Sequence, residues 1–330
     1  MAIIPGFVYD QYRRLPVVPK DCTGQTIIVT GSNTGIGFDA AKHFVELNAA
    51  RVIIAVRSLA KGTAAKDAID AAFPSRAGVA QVWELDLASN ASVRAFAKRA
   101  TDELDRIDVV LENAGVAMAE WIEAEGTETT VQVNVIGTFL LAMLLLPKLK
   151  SVAKEFGITP HLTVVSSSTH FDAKFVEGQQ DDVFAALAEN NPEYMKERYP
   201  VSKLIEIYAG RELASLLPVE KTGVVINLLC PGLCWSELTR NCTWGVWLQI
   251  FTLRLLLARS QEVGSRTLLH AAVAGPDSHG QVCSDCEIRE DKTAEFVKSE
   301  EGQRTQKKVW NQLVAKLDAI EPGCVSKALA

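Results

Sequence analysis

The segment "TGSNTGIG", residues 30–37, joins a predicted strand to a predicted helix. The β-branched run "QTIIVTG" at 25–31 comes first and is typical of a buried strand. Helical spacing follows in "GFDAAKHFVELNA" at 37–49. Glycines at such a junction let the backbone turn sharply and approach a ligand, and the amides at the helix N-terminus can face an anion. The segment therefore predicts a dinucleotide-binding turn, formed by Gly31, Ser32, Asn33, Thr34, Gly35, Ile36 and Gly37.

Strands and helices alternate outward from this turn, from about residue 25 to residue 232. The predicted strands are 25–31, 51–56, 79–85, 107–115, 161–168 and 223–232. The predicted helices are 37–49, 59–73, 92–104, 127–146 and one that begins near Tyr199. Such alternation is typical of right-handed βαβ crossovers on a parallel sheet. The sequence predicts an α/β fold, a Rossmann-type doubly wound parallel sheet, as one domain over 1–330.

Composition narrows the class of protein. The net charge of −6 disfavours a nucleic-acid partner. Seven scattered cysteines fit reduced thiols better than a disulfide framework, and the N-terminal segment lacks the basic start of a signal peptide. We therefore expect a cytoplasmic protein. The lone C-x-x-C at 283–286 has no second pair or histidine cluster near it, so we expect no metal.

Two apolar stretches require a choice between core and membrane. The first, 129–147, contains Gln132 and Asn134 and ends at a proline, which favours a buried helix over a membrane span. The second, 244–258, is too short and too polar to span. Its tryptophans and aliphatic residues fit the wall of a substrate pocket, and peripheral membrane contact is the alternative.

The end of the second predicted strand indicates which nicotinamide cofactor is used. NAD-binding proteins usually place an acid there, whereas NADP-binding proteins place an arginine. Here the strand ends in "IIAVRS", so Arg57 and Ser58 could bind a 2′-phosphate. An ordinary exposed arginine is the alternative. We predict NADP(H) as the cofactor.

The segment "RYPVSKL" at 198–204 places Tyr199 and Lys203 four residues apart. Pro200 is tolerated best in the first helical turn, so we expect a helix to begin close to Tyr199. Residues i and i+4 share a helix face, where the ammonium would favour phenolate and lower the tyrosine pKa. A surface pair without function is the alternative.

Together, "TGSNTGIG", "ENAGV" and "YPVSK" resemble the short-chain dehydrogenase/reductase family in order and topology. The resemblance covers about residues 22–290. The segments "AVRSLAKG", "EGTETTVQVNVIGTFLL" and "PGLCWSEL" are most similar to the retinol-dehydrogenase-like branch, and they also resemble reductases of fungal secondary-metabolite pathways.

The resemblance implies roles for further residues. Tyr199 would be the acid/base residue, Lys203 would bind the nicotinamide ribose, and Asn134 would support a proton relay through water. The implied cofactor contacts are Asp86, Leu87, Asn113, Ala114, Gly115, Pro231, Gly232 and Ser236, together with Tyr199 and Lys203.

The catalytic serine is one of three consecutive residues in "VVSSSTH". Alignment with the family pattern favours Ser167, and Ser166 and Ser168 would then make hydrogen bonds at the strand end. Ser167 lies 32 positions before Tyr199, because the polar residues 171–197 look like an insertion. We expect His170 to be structural.

These expectations lead to one favoured function and two alternatives. The favoured one is an NADP(H)-dependent oxidoreductase that transfers a hydride between the nicotinamide and a carbonyl or alcohol of a bulky apolar substrate, such as a polyketide or terpenoid intermediate. The alternatives are a retinol- or steroid-type alcohol dehydrogenase and a non-catalytic NADP-sensing protein. We expect the substrate lid at about 233–261 and a helical tail at about 291–330. The assembly state stays open, with a homodimer as one alternative.

Overall fold

The computed structural model describes residues 5–18, 20–242 and 244–330. Its eight-stranded sheet has the order β10-β9-β8-β7-β4-β1-β2-β3, and its strand pairs are parallel except β9 with β10. A short hairpin, β5 with β6, lies apart from it. The strands are β1 (Thr26–Thr30), β2 (Arg51–Val56), β3 (Ala80–Glu84), β4 (Val109–Glu112), β5 (Glu123–Ala124), β6 (Thr127–Glu128), β7 (His161–Val165), β8 (Val225–Cys230), β9 (Val282–Ser284) and β10 (Glu287–Ile288).

Helices cover both faces of the sheet. They are α1 (Pro5–Tyr12), α2 (Gly35–Glu46), α3 (Leu59–Ala72), α4 (Asn90–Glu103), α5 (Thr129–Val131), α6 (Thr138–Phe156), α7 (Val183–Ala188), α8 (Met195–Leu216), α9 (Val219–Thr222), α10 (Trp244–Leu257), α11 (Gln261–Val273), α12 (Glu295–Lys298), α13 (Glu300–Ile320) and α14 (Cys324–Leu329). A π-helical turn, Gln132–Gly137, joins α5 to α6. Short 3₁₀ turns occupy Pro74–Arg76, Ser168–Asp172, Val176–Gln179, Pro192–Tyr194, Glu237–Asn241, Pro276–Ser278 and Glu290–Lys292.

The order of the strands places a binding crevice at β1. From β1 the chain adds β2 and β3 on one side, and it then returns to add β4 on the other side. In open α/β sheets, ligands bind at such a reversal, beyond the carboxyl ends of the strands. The glycine-rich turn follows β1 at this point, as the sequence predicts.

The core lies on the two faces of the sheet. On β1, Ile28 packs into one hydrophobic cluster, whereas Ile27 and Val29 pack into the other. This alternation follows from the two-residue period of a strand. The first cluster includes residues of α4, α6, α8 and α13, and the second includes residues of α2 and α11. The doubly wound α/β prediction is confirmed.

Two predicted helix ends are wrong, and both errors involve proline. Pro147 does not end the apolar helix, because α6 continues to Phe156. The helix near Tyr199 begins earlier, at Met195, so Pro200 lies inside it. Proline forfeits one helical hydrogen bond, and the buried faces of both helices compensate for that loss. Strands β9 and β10, of three and two residues, were not predicted.

The apolar stretch of the α5–α6 region lies inside the protein. By length and composition, the continuous helix Thr129–Phe156 could cross a membrane. However, 89% of its most apolar window is buried in the fold. This burial agrees with the predicted core helix.

Candidate active site

The glycine-rich turn leaves the start of α2 open. Gly31 and Gly35 have φ of +65° and +68°, which glycine adopts at little cost. Apart from the adjoining backbone, no heavy atom of the described residues lies within 4 Å of the place that a Cβ at Gly35 would occupy. Thr34 precedes the helix, and its side chain makes no capping hydrogen bond. The first amides of α2 therefore face a space that an anionic group could fill. Ser32 is buried and donates to the Val29 carbonyl at 2.8 Å, while Asn33 and Ile36 are partly exposed.

Residues after β4 hold this turn in place. The backbone amides of Asn113 and Ala114 both donate to Thr30 Oγ1, at 2.9 Å each. The Asn113 side chain donates to the Thr30 carbonyl at 2.8 Å. A Cβ at Gly37 would lie 2.3 Å from Asn113 Nδ2, so only glycine allows this approach. The predicted cofactor residues of the two loops are thus brought together.

Arg57 lies at the rim of the same crevice, directly after β2. Its side chain is exposed and forms no ion pair with any residue that the structure describes. Ser58 begins α3, where its hydroxyl accepts from the Lys61 amide at 3.5 Å. Neither residue at this strand end is acidic.

The predicted adenine-side residues follow β3. Asp86 Oδ1 accepts from the Ala88 amide at 3.0 Å, which orders the turn. Leu87 is buried, and its carbonyl would lie 2.3 Å from a Cβ at Gly137. The π-helical turn therefore packs directly against the β3 loop.

Asn134 lies on that π-helical turn and is completely buried. Its Nδ2 donates to the Val116 carbonyl and to Ser202 Oγ, both at 3.0 Å, and its Oδ1 accepts from the Val116 amide at 2.9 Å. Gly115 separates it from the lysine, since a Cβ there would lie 3.4 Å from Asn134 Oδ1 and 3.6 Å from Lys203 Nζ. π-Helical turns often occur at functional sites.

Tyr199 and Lys203 share one face of α8, as predicted. Lys203 Nζ lies 5.7 Å from the centre of the Tyr199 ring. The ammonium also donates to the Val165 carbonyl at the end of β7, at 2.9 Å, and to Glu206 Oε1 at 2.7 Å. Lys203 is 4% exposed, so the surface-pair alternative does not describe this geometry.

The expected lowering of the tyrosine pKa is outweighed. Burial raises the pKa of Tyr199 above its usual value, and the charge of Lys203 lowers it by less. The charge of Glu206 raises the pKa further, and a hydrogen bond with Ser167 lowers it. The role of Glu206 could not be predicted from the sequence, because i,i+3 carboxylates are common on ordinary helices.

The three serines take different positions. Ser167 precedes the 3₁₀ turn Ser168–Asp172 and interacts with the Tyr199 hydroxyl. Ser166 is buried and donates to the Lys203 carbonyl at 3.0 Å. Ser168 lines a small cleft that faces α1. The geometry favours Ser167 for contact with a reacting oxygen. His170 is completely buried and accepts from the Ala294 amide at 3.2 Å.

Arg198 anchors the insertion beside Tyr199, and no local sequence pattern indicates this role. Its guanidinium is fully buried and donates to Glu177 Oε1 at 3.0 Å. Its Nε lies 3.8 Å from Glu128 Oε2. Glu177 belongs to the region predicted as an insertion, so this ion pair fixes the insertion to the start of α8.

The loop after β8 carries the other predicted cofactor residues. Pro231 is buried, and Gly232 has φ of +77°. Ser236 accepts from Arg254 through both its carbonyl, at 2.9 Å, and its hydroxyl, at 3.1 Å. Arg254 belongs to α10, so these hydrogen bonds tie α10 to the loop after β8.

Helix α1 closes over this loop, and the sequence did not indicate it. Gln11 Nε2 donates to the carbonyls of Leu233 and Leu257, at 2.8 and 2.9 Å. Gln11 Oε1 accepts from the Leu233 amide at 3.1 Å. One side chain thus joins the two ends of the predicted lid. Arg259 adds to this closure, because it donates to the carbonyls of Pro231 and Asp10 and to Asp285.

The aromatic residues of the predicted lid do not form one enclosed wall. Trp244 is 75% exposed and Trp247 is 39% exposed. Trp247 stacks on Phe251 at 4.9 Å, and the partly buried Trp235 meets Phe251 edge-on at 5.9 Å. Trp244 is thus exposed in the described conformation, and the expectation that this segment forms the wall of a substrate pocket stays a prediction.

Within the described ranges, no group of three or more His, Cys, Asp or Glu residues could hold a metal ion. Cys283 and Cys286 are both free and buried. Burial raises the pKa of Cys283 to about 12, so its thiol stays protonated.

Comparison with known proteins identifies the family. The family model described as "short chain dehydrogenase" matches residues 25–169. Short chain dehydrogenase/reductase dmxR8 of Cryptosporiopsis sp. (strain 8999) is 45% identical over 327 residues, which cover 97% of this chain and 99% of dmxR8. Short-chain dehydrogenase anuD of Penicillium roqueforti (strain FM164) is 41% identical over 323 residues, covering 96% of this chain and 84% of anuD.

Solved structures agree on the fold. The RhlG/NADP active-site complex of Pseudomonas aeruginosa matches with a TM-score of 0.60 at 23% identity, over 81% of this chain and 96% of RhlG. A short-chain type dehydrogenase/reductase from Mycobacterium marinum matches with a TM-score of 0.62 at 20% identity, over 83% of this chain and 97% of the other. The resemblance drawn from the three motifs is confirmed. The chain belongs to the short-chain dehydrogenase/reductase family, and it is an oxidoreductase of a family that uses nicotinamide cofactors.

Proposed function

We propose that this protein is an NADP(H)-dependent carbonyl reductase or alcohol dehydrogenase. The observation that carries the proposal is the convergence of Ser167, Tyr199 and Lys203 at the ends of β7 and α8, beside the open start of α2. A protein that only sensed the nucleotide would need the glycine-rich turn but not this serine and tyrosine.

The residues around the glycine-rich turn fit a dinucleotide. The uncapped start of α2 would hold the pyrophosphate through backbone amides. Arg57, exposed and without an ion-pair partner among the described residues, would bind a 2′-phosphate with its planar guanidinium. Asp86 and Leu87 would lie near the adenine, and Asn113, Ala114 and Gly115 would line the middle of the crevice.

The nicotinamide side would be bounded by the loop after β8. Pro231, Gly232 and Ser236 would contact the ring, and Lys203 would donate to the ribose through the donor that its two protein acceptors leave free. When bound, the nicotinamide supplies or accepts the hydride.

The chain's own residues would control the oxygen and the proton. Reduction of a carbonyl places negative charge on its oxygen, and Tyr199 would donate a proton to that oxygen. Ser167 would hydrogen-bond the same oxygen and fix its position. The charge of Lys203 favours the phenolate of Tyr199. Asn134 donates to the Val116 carbonyl, and a water relay beside it could return the proton to Tyr199.

The substrate we propose is bulky and apolar, with a carbonyl or hydroxyl group, such as an intermediate of fungal secondary metabolism. Two features support this class: the fungal relatives that match almost the whole chain, and the apolar residues of α10 beside the loop after β8. Leu255 and Leu256 are 62% and 66% exposed, so α10 could cover a bound apolar molecule or rest on a membrane surface.

The cofactor assignment is tested by Arg57→Asp. We expect the variant to weaken NADPH binding at least tenfold and NADH binding little, because an aspartate repels a 2′-phosphate and accepts from a ribose hydroxyl. Fluorescence titration of both cofactors measures this preference, and Arg304→Asp, which changes an exposed arginine on α13, is the control. An unchanged ratio of NADPH to NADH affinity would remove Arg57 from the site.

Screening the wild-type protein against ketones and alcohols with NADPH and NADP⁺ tests catalysis itself.

A further inference from the structure

Glu206 is the carboxyl partner of Lys203, and the family pattern that assigns roles to Tyr199 and Lys203 assigns it none. Its Oε1 accepts from Lys203 Nζ at 2.7 Å, one helical turn further along α8. The side chains of Lys203 and Glu206 are 5% and 2% exposed, so water screens their interaction little. A buried ion pair of this kind is costly to break, since it leaves the other charge unpaired.

Other titratable groups face the pair from neighbouring elements. Glu112, at the end of β4, is buried, and neither of its carboxyl oxygens has a hydrogen-bond partner in the described ranges. Burial raises the pKa of Glu112 well above its usual value, and the charge of Glu206 adds to this rise, so both effects favour the neutral form of Glu112. On β8, burial raises the pKa of Cys230 to about 12, so its thiol is neutral too. Tyr199 completes the group on α8.

The carboxylate that pairs with Lys203 is therefore that of Glu206, once Glu206 has lost its proton. Burial raises the pKa of Glu206 to about 7, although the charge of Lys203 opposes this rise. Burial alone would lower the pKa of Lys203, but the charge of Glu206 and its hydrogen bond raise it overall. The hydrogen bond from Lys203 to the Val165 carbonyl fixes the ammonium from the opposite side.

We propose that Glu206 is a positioning residue, which holds the ammonium of Lys203 in place and keeps it charged. This inference deepens the proposed function and rests on it for its catalytic meaning. Glu206 touches neither substrate nor cofactor in this role. It acts on the ribose contact through Lys203, and its charge also raises the pKa of Tyr199.

The direct test follows the protonation of Lys203 in the protein without cofactor. Lysine labelled with ¹³C at Cε gives one NMR signal per residue, and the signal of Lys203 is the one absent from Lys203→Arg. We expect Lys203 in Glu206→Gln to lose its proton at least one pH unit lower than in the wild type. Glu206→Asp keeps a carboxylate and should restore most of the difference. The control is Glu212→Gln, which changes a carboxylate two turns further along α8, bonded to Gln306, and should leave the titration unchanged.

The wild-type protein gives a second readout that needs no variant. Its Lys203 signal should also shift as Glu206 titrates near pH 7. Equal Lys203 midpoints in the wild type and Glu206→Gln would overturn the proposal. If Glu206→Gln does not fold, a wild-type Lys203 signal whose chemical shift stays constant near pH 7 would equally overturn the proposal.

Cofactor binding separates this inference from the proposed function. We expect Glu206→Gln to weaken NADPH binding several-fold, and increasingly so at alkaline pH, where its Lys203 is neutral. Failure of the wild-type protein to bind or turn over any nicotinamide would refute the proposed function, while the NMR titration would still decide the role of Glu206.

Discussion

At the residue scale, Tyr199 and Lys203 lie one helical turn apart, and burial favours the neutral form of both. Burial favours the neutral phenol of Tyr199 and disfavours the ammonium of Lys203. Glu206 reverses the second effect, because it raises the pKa of Lys203 above its usual value. The phenol therefore keeps its proton beside a charged lysine, which suits a residue that must donate a proton at neutral pH.

The pH dependence of stability follows from Glu206. Its pKa in the folded protein is about 7, above the ordinary 4.5, so the folded state binds its proton more tightly than the unfolded state does. The stability linked to this proton is fully present below pH 4.5 and is lost as the pH rises through 7. Glu206→Gln has no proton to lose. Relative to that of the wild type, the free energy of unfolding of Glu206→Gln should rise by on the order of 3 kcal/mol between pH 5 and pH 8.

Urea unfolding at several pH values measures this difference, with Glu212→Gln as the control. A difference between wild type and Glu206→Gln that stays constant from pH 5 to pH 8 would show that Glu206 does not titrate in this range.

At the element scale, α1 and α10 form a unit around the loop after β8. Gln11 joins Leu233 to Leu257, so it determines the separation of the two ends of the lid. Arg259 joins the same loop to α1 and to Asp285, next to β9. These contacts position the predicted lid, which is separate from the glycine-rich turn. In the proposed function, a substrate would meet the nicotinamide at this lid.

Replacing Gln11 tests this arrangement. Gln11→Ala removes three hydrogen bonds, so we expect KM for a bulky substrate to rise several-fold while the Kd of NADPH stays within twofold. The loss of stability should be about 1–3 kcal/mol, since Leu233 and Leu257 are left without this partner.

Steady-state kinetics and a fluorescence titration of NADPH give the two constants. Arg13→Ala, which removes an exposed ion pair with Glu287 from the same segment, is the matched control. If NADPH binding weakens as much as KM rises, α1 supports the nucleotide half of the site and not the lid.

At the scale of the whole molecule, the tail packs against α8, the helix that carries Tyr199 and Lys203. Helix α13 packs against α8, and Val309, Leu313 and Leu317 are completely buried on its inner face. These three residues form the buried face of an amphipathic helix. The tail lies outside residues 25–169, which match the family model, but it belongs to the same hydrophobic cluster as α4, α6 and α8.

Leu313→Ala should therefore destabilise the whole fold. We expect a loss of about 2–5 kcal/mol, because truncation of a fully buried leucine leaves a cavity. Turnover well below the melting temperature should stay near that of the wild type. Thermal unfolding measures the loss, and the exposed Lys307→Ala should change stability by no more than about 0.5 kcal/mol. A loss below about 1 kcal/mol for Leu313→Ala would mean that the tail contributes little to the core.

Local sequence signals predicted the parts of the molecule that depend on local order. The β-branched runs at 25–31 and 51–56 form buried strands, and the glycine-rich turn leads into α2. Proline misled the assignment of helix ends, because packing of α6 and α8 outweighs the lost hydrogen bonds.

The missed features depend on contacts between distant parts of the chain. Gln11 meets Leu233 across 222 positions, and Arg259 meets Asp10 across 249. No local pattern encodes such pairs. Glu206 was visible in the sequence, but its importance follows from burial, which one sequence without relatives does not reveal.

In the proposed reaction Tyr199 donates the proton to the reacting oxygen, and one substitution tests this role most directly. Tyr199→Phe keeps the ring and its packing and removes the hydroxyl. The measurement is the single-turnover rate of NADPH oxidation with a ketone that the wild-type protein reduces, at saturating NADPH. We predict normal folding, an NADPH Kd within about twofold of the wild type, and a rate lowered by about 10² to 10⁴. Tyr208→Phe, a buried tyrosine elsewhere on α8, should keep the wild-type rate. A rate for Tyr199→Phe near that of the wild type, with NADPH still bound, would contradict the account.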